Sequence, residues 1–187
     1  MKRISLPVVA LAILFAACNE KTSDKMKDTG AGKDTAAKME YAYKAQYSSD
    51  ISMGKPEHVK IVFDFFKAWE NNRLDDMRPL LTDSVWVEFS DGTRFLGNAD
   101  SLISEGKKFR ANFDSVGSVL DAYMPVHLND KNEDFVLVWG KDYMKDKTGK
   151  LDSIAGHSYW QVKDNKICGW AEYTRKLTAV PPPGKNP

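Results

Sequence analysis

The sequence is poor in the groups that metal sites and disulfide scaffolds require. It has 2 cysteines and 3 histidines in 187 residues. That excludes a disulfide-stapled fold and a multi-ligand zinc module. His58, His127 and His157 have no ligand spacing, so no metal and no other cofactor is expected. Charge of one sign is also missing: 27 Lys and Arg stand against 26 Asp and Glu, a net of +1. Nucleic-acid binding needs a strongly basic face, so no nucleic-acid partner is expected. There is no internal repeat, phosphate-binding loop or nucleophile elbow. Gly30-Ala31-Gly32-Lys33 comes nearest to a glycine-rich loop, but it lacks the flanking strand and helix. The apolar run at residues 6–17 is 12 residues long, against about 20 for a spanning helix.

What is present divides into unlike parts. Lys2 and Arg3 followed by that apolar run read as a signal peptide over residues 1–17. Phe15-Ala16-Ala17-Cys18 resembles the bacterial lipobox, with Phe15 as its departure from the usual pattern. The resemblance implies cleavage before Cys18 and a diacylglyceryl thioether on its sulfur. The expected partner is therefore a membrane, reached through a lipid anchor. The expected location is the bacterial cell envelope, on the outer membrane facing the periplasm or the surface. Cys168 would then have no disulfide partner. Residues 19–53 are nearly devoid of aliphatic side chains and cannot bury enough apolar area to offset chain entropy. Residues 18–53 are expected to be a lipidated cysteine on a disordered tether, spanning roughly 30–35 Å as a flexible coil. Tyr41, Tyr43 and Tyr47 interrupt it and could either dock on the domain or remain solvated. Residues 178–187, with Pro181-Pro182-Pro183-Gly184, read as a disordered tail.

Residues 54–177 carry the folded pattern. Val59, Val62, Phe63, Phe66 and Trp69 form an apolar helical stripe after Pro56 and Glu57. Leu74, Met77, Leu80 and Leu81 predict a second, shorter helix limited by Pro79. Alternation over residues 83–89 predicts a strand, Asp91-Gly92 a turn, and residues 94–96 a brief partner strand. Asn98 or Asp100 can cap a third helix carrying Leu102, Ile103, Gly106, Phe109 and Phe113. Four strands follow, at residues 116–128, 134–144, 151–162 and 166–175, separated by hairpin chemistry such as Asp164-Asn165. Helices on one side of an antiparallel meander predict an α+β domain: a curved antiparallel sheet wrapped around about three helices.

Order, length and several phrases resemble the SnoaL-like, polyketide cyclase-like branch of the nuclear transport factor 2-like superfamily. The phrases are Leu80-Leu81-Thr82-Asp83-Ser84-Val85-Trp86-Val87 leading to Asp91-Gly92, then His157-Ser158-Tyr159-Trp160, then Asp164-Asn165-Lys166-Ile167 leading to Glu172-Tyr173. The resemblance covers nearly all of residues 56–177. It implies a cone-shaped fold with a pocket between the concave sheet face and the helices. The isomerase members place a catalytic aspartate at the end of the first strand; here Phe89-Ser90 stand where Asp-Pro would be. Ketosteroid isomerase chemistry is disfavoured.

Strand parity groups Trp86 with Glu88; Trp139 with Lys141 and Tyr143, opposite Asp142; His157 with Tyr159; and Trp170 with Cys168 and Glu172. Parity alone does not tell which face is concave. The expected pocket lining is Trp86, Trp139, Tyr159, Trp170 and Phe66. His157 is the candidate general base and Glu172 its activating or acid partner. The alternatives are a half-buried strand histidine and a cross-strand partner for Arg175 or Lys163. The run at residues 141–147 reads as a charged hairpin tip. Two functions stay open. One is an envelope lipoprotein that binds a small hydrophobic ligand or a partner, with homodimerisation through the outer sheet face. The other is an enzyme of isomerase, cyclase or dehydratase type, acting by acid–base chemistry on a hydrophobic carbonyl compound. The vacant base position favours the first.

Overall fold

The computed structural model describes residues 41–178. The leader, Cys18, most of the tether and the tail beyond residue 178 lie outside the described residues.

Helix α1 (Pro56–Glu70) begins on a proline, with Glu57 in its first turn, both suited to the exposed N–H groups at a helix start. It buries Val59, Val62, Phe65 and Ala68, with Phe63, Phe66 and Trp69 partly covered. The predicted second helix is a 3-10 segment, Leu74–Leu80, with Pro79 inside it. Proline has no N–H to give, and a short, tighter helix tolerates that loss better than a continuing α-helix. Leu81, expected in this helix, opens strand β2 instead. Helix α2 (Ala99–Arg110) is capped by Asn98, whose side-chain oxygen accepts from the Ser101 N–H at 2.7 Å. Phe113, read as helical, starts a strand.

Arg110 is a buried cation that closes the helix ends. Its guanidinium donates to the Trp69, Glu70 and Phe113 carbonyls at 3.1, 3.2 and 2.9 Å. The carbonyls at a helix C-terminus have no intrahelical partner and carry the negative end of the dipole, so a cation there is favoured.

The strands are β1 (Ile51–Met53), β2 (Leu81–Glu88), β3 (Arg94–Asn98), β4 (Phe113–Leu128), β5 (Glu133–Asp146), β6 (Leu151–Lys163) and β7 (Lys166–Lys176). They form one sheet in the order β1-β4-β5-β6-β7-β2-β3. The meander β4 to β7 is antiparallel as expected, but β2 pairs parallel with β7, so the sheet is mixed. Strand β1 lies within the stretch expected to be tether. It pairs with Val126–Leu128, and just before it Tyr47 Oη donates to Glu133 Oε2 at 2.6 Å. Edge pairing uses backbone groups, so it needs none of the aliphatic side chains this stretch lacks.

A glycine pair lets neighbouring strands approach closely in the middle of the meander. Gly140 on β5 lies opposite Gly156 on β6. A Cβ on Gly140 would stand 2.7 Å from the Val119 oxygen, and one on Gly156 2.7 Å from the Tyr173 oxygen. Neighbouring backbones therefore come closer than any side chain allows. Val62, Leu81, Val85, Val87, Val136 and Ile167 are fully buried. Beside them Trp160 stacks on Trp170 at 4.7 Å between centroids, and Phe65 meets both rings at 5.4 Å. Such ring pairs add about 0.5–1.5 kcal/mol each beyond area burial.

Gly156→Val is expected to destabilise the domain by about 1–3 kcal/mol through overpacking. Gly117→Val, at a position with nothing within 4 Å of its added Cβ, should cost far less. Urea unfolding of the two variants measures the difference.

Candidate functional site

The alternation of β4 to β7 decides which side chains meet the helices. Ser118, Val138, Gly140, Asp142, Gly156, Ser158, Trp160, Trp170 and Glu172 point to the concave side. Four of these, Ser118, Gly140, Gly156 and Ser158, are small, and the helices do not fill the face. A cavity of about 610 Å³ remains, within the size of small-molecule sites. Phe65, Phe66 and Trp69 of α1 and Leu102, Ile103 and Phe109 of α2 form the facing wall. Phe89, Ser90, Asp91 and Phe95 from the β2–β3 hairpin complete its boundary.

Two carboxyls project from the sheet into this apolar space. Asp142 Oδ1 accepts from Ser118 Oγ at 2.6 Å, and the Ser118 N–H donates to Glu70 Oε1 at 3.0 Å. Glu172 Oε1 accepts from Trp170 Nε1 at 2.9 Å. The second oxygens of Asp142 and Glu172 have no protein partner among the described residues. Burial pushes the Asp142 carboxyl above its usual range, against the lowering pull of the Ser118 hydrogen bond; the charge of Glu70 adds to the rise. Burial likewise raises Glu172, and the nearby charges of Asp142 and Asp91 raise it further. Groups so placed can donate a hydrogen bond when protonated, accept one when ionised, or pass a proton between those states. Asp91 differs: its Oδ1 accepts from the Thr93 hydroxyl and N–H, and these bonds hold it below the usual carboxylate range.

The residues anticipated from sequence separate onto two faces. Glu172, Trp170 and Phe66 line the cavity. Trp86, Trp139 and Tyr159 do not, and their assignment as pocket lining is corrected. Trp86 lies over Gly169 and donates from Nε1 to Gln161 Oε1 at 3.1 Å. Trp139, His157, Tyr173 and Tyr159 form a continuous aromatic row on the convex face, with neighbouring centroids 5.4, 5.6 and 6.3 Å apart. His157 borders the cavity between Gly156 and Ser158, but its ring belongs to that row. The strand register pairs it with Tyr173, while Glu172 pairs with Ser158. Adjacent positions on a strand face opposite ways, so the His157–Glu172 couple does not form. The histidine–carboxylate pair that does form is His127 with Asp134, at 2.9 Å, outside the cavity.

Asp142 and Phe65 were not anticipated as site residues. Asp142 was read as part of a charged hairpin tip, although parity already set it opposite Trp139, Lys141 and Tyr143. Phe65 lies between the stripe positions Val62 and Phe66, and both it and Phe66 reach the cavity because the apolar face of α1 is wide. A register shift on β7 also moves Cys168 off the face of Trp170: Ile167 pairs with Val162 and Gly169 with Gln161, leaving Cys168 between them. The thiol points to the Gln161 carbonyl at 3.6 Å, and burial raises its pKa, as for an inert half-buried cysteine.

No family model matches this sequence, and no curated protein matches it. Solved structures do share its shape. An epoxide hydrolase of LEH-like type from M. tuberculosis superposes with a TM-score of 0.55 at 16% identity, covering 64% of this chain and 83% of its own. A SnoaL-like polyketide cyclase from Jannaschia sp. CCS1, assigned provisionally as such, gives 0.53 at 13%, covering 66% and 90%. A nuclear transport factor 2-like protein of unknown function from Burkholderia pseudomallei K96243 gives 0.53 at 12%, covering 65% and 92%. At these identities the likeness is one of fold. The domain has the α+β nuclear transport factor 2-like architecture, with a SnoaL-like arrangement of three helices and a curved, mixed seven-stranded sheet.

The ordinary values for Asp142 and Glu172 are 3.8 and 4.5, and the folded chain holds both groups above them. In that window the folded state binds more protons than the unfolded one, so their contribution to stability is lost as pH rises through the folded values. Glu172→Gln, which keeps the shape and never ionises, should melt above the native chain at neutral pH, with the gap closing near pH 4. Thermal melts at both pH values test this. A gap that does not change with pH would show that Glu172 carries no raised pKa.

Proposed function

We propose that this chain is a lipid-anchored cell-envelope protein whose domain binds a small hydrophobic ligand in the cavity between the helices and the concave sheet face. The observation that carries the reading is the cavity itself: about 610 Å³ bounded largely by rings and aliphatic side chains, with two inward carboxyls. A core built only for stability would close such a space, since unfilled volume lowers stability. The lipidated Cys18 and the tether after it would hold this binding domain at the outer membrane, facing the periplasm or the surface. The aromatic row on the convex face, centred on His157 and Tyr173, is where a second copy would pack.

A second reading is favoured by the raised carboxyls. Asp142 and Glu172, in place of the His157–Glu172 couple, would serve acid–base chemistry on a hydrophobic carbonyl compound. A buried carboxylic acid can protonate or hydrogen-bond a carbonyl oxygen, and its conjugate base can remove a proton beside it. Under this reading Asp142→Asn and Glu172→Gln abolish turnover yet leave ligand bound.

Native mass spectrometry of the Cys18→Ser chain is expected to show a co-purified small molecule or uptake of added hydrophobic probes, one per domain. A chain that is empty and takes up no probe would overturn the binding reading. For the anchor, Cys18→Ser should lose labelled palmitate and move from the membrane to the soluble fraction. Retention of either property would remove Cys18 as the lipidation site.

A further inference from the structure

The cavity wall is one-signed. Its charged side chains are Asp91, Glu105, Asp142 and Glu172, and among the described residues neither lysine nor arginine lines it; Glu105 alone of the four is paired with a cation, Lys108, at 2.6 Å. Composition does not produce this, because the chain carries 27 basic against 26 acidic side chains. Three basic groups nearby are engaged elsewhere. The His157 ring stacks on Tyr173 and meets Trp139 at a tilt, on the other face. Arg110 is tied to three backbone carbonyls. Lys67 is paired with Glu70.

Resting on the ligand-binding reading above, we propose that the ligand is an organic cation: a hydrophobic amine, its ammonium held between Asp142 and Glu172 and its apolar body against the Trp and Phe wall. The two carboxyls are set up for this. Each lines the cavity and has one oxygen fixed by a neighbour, Ser118 Oγ for Asp142 and Trp170 Nε1 for Glu172, leaving the other without a protein partner among the described residues. A hydrophobic anion placed between Asp142 and Glu172 would meet two carboxyls that have no ion-pair partner among the described residues. A wholly apolar ligand would take water from those free oxygens and replace none of its hydrogen bonds, a cost that falls on affinity. An ammonium supplies donors and charge together. Trp69, Trp160, Trp170, Phe65 and Phe66 favour the same sign, because the face of an aromatic ring attracts a cation and repels an anion.

Isothermal titration of the full chain at neutral pH, with phenylbutylamine, phenylbutanol and phenylbutanoate as shape-matched probes, separates the possibilities. The amine is expected to bind at least about tenfold more tightly than the alcohol, and the carboxylate most weakly. In an Asp142→Asn, Glu172→Gln double variant the amine should fall to the level of the alcohol. Alcohol or carboxylate binding as tightly as the amine in the native chain would overturn the cation assignment and leave the cavity a binder of another class. Failure of all three to bind would overturn the binding reading itself. The native ranking decides the matter even if the double variant does not fold.

Discussion

Gly140 and Gly156 stand opposite each other on β5 and β6, where a Cβ would lie 2.7 Å from a backbone oxygen of the next strand. Side chains at these two points would force the neighbouring strands apart. Backbone of the neighbouring strands takes the place of those side chains. Both glycines lie on the concave face that α1 and α2 cover, and both border the cavity.

The cavity would collapse if the helices could settle into it. Two features oppose that. Trp160, Trp170 and Phe65 form a rigid ring cluster on one side of the space, and rings do not compact as aliphatic chains do. Arg110 binds carbonyls at the end of α1 and at the start of β4, so the helix ends cannot slide independently. A buried guanidinium is tolerated because three backbone carbonyls, two of them at the C-terminus of α1, accept its hydrogen bonds in place of water. The raised carboxyls lie in the space so preserved. Asp142 is joined through Ser118 to Glu70 at the end of α1, which couples the cavity wall to the same helix terminus.

The elements were readable because their periodicity is set by local geometry. Val85 and Val87 alternate in β2, the stripe of α1 recurs at three and four, and Asp164-Asn165 forms its turn with both residues at positive φ. The site was less readable. Glu172, Trp170 and Phe66 were placed in the cavity, while Trp86, Trp139 and Tyr159 were assigned to a face they do not occupy. Parity groups residues of one strand correctly, but it carries no information on which side the sheet bends. His157 and Glu172 were paired as neighbours in chemistry, yet register sets them on opposite sides. Asp142 was overlooked because the surrounding lysines make its segment look solvated. Strand β1 escaped notice because backbone pairing leaves no hydrophobic trace.

Sequence by itself determined the α+β class, the order of helices and strands, the meander and most of its turns. These follow from side-chain pattern and turn chemistry within short windows. Tertiary structure alone decided the face on which each strand's residues fall, the parallel closure of β7 on β2, and the 3-10 form around Pro79. It also decided that Asp142 and Glu172 share a largely apolar cavity with no lysine or arginine on its wall among the described residues. Each of these depends on contacts between residues far apart in the chain: strand pairing sets which residues share a face, and a carboxyl's environment is fixed by what the fold brings around it.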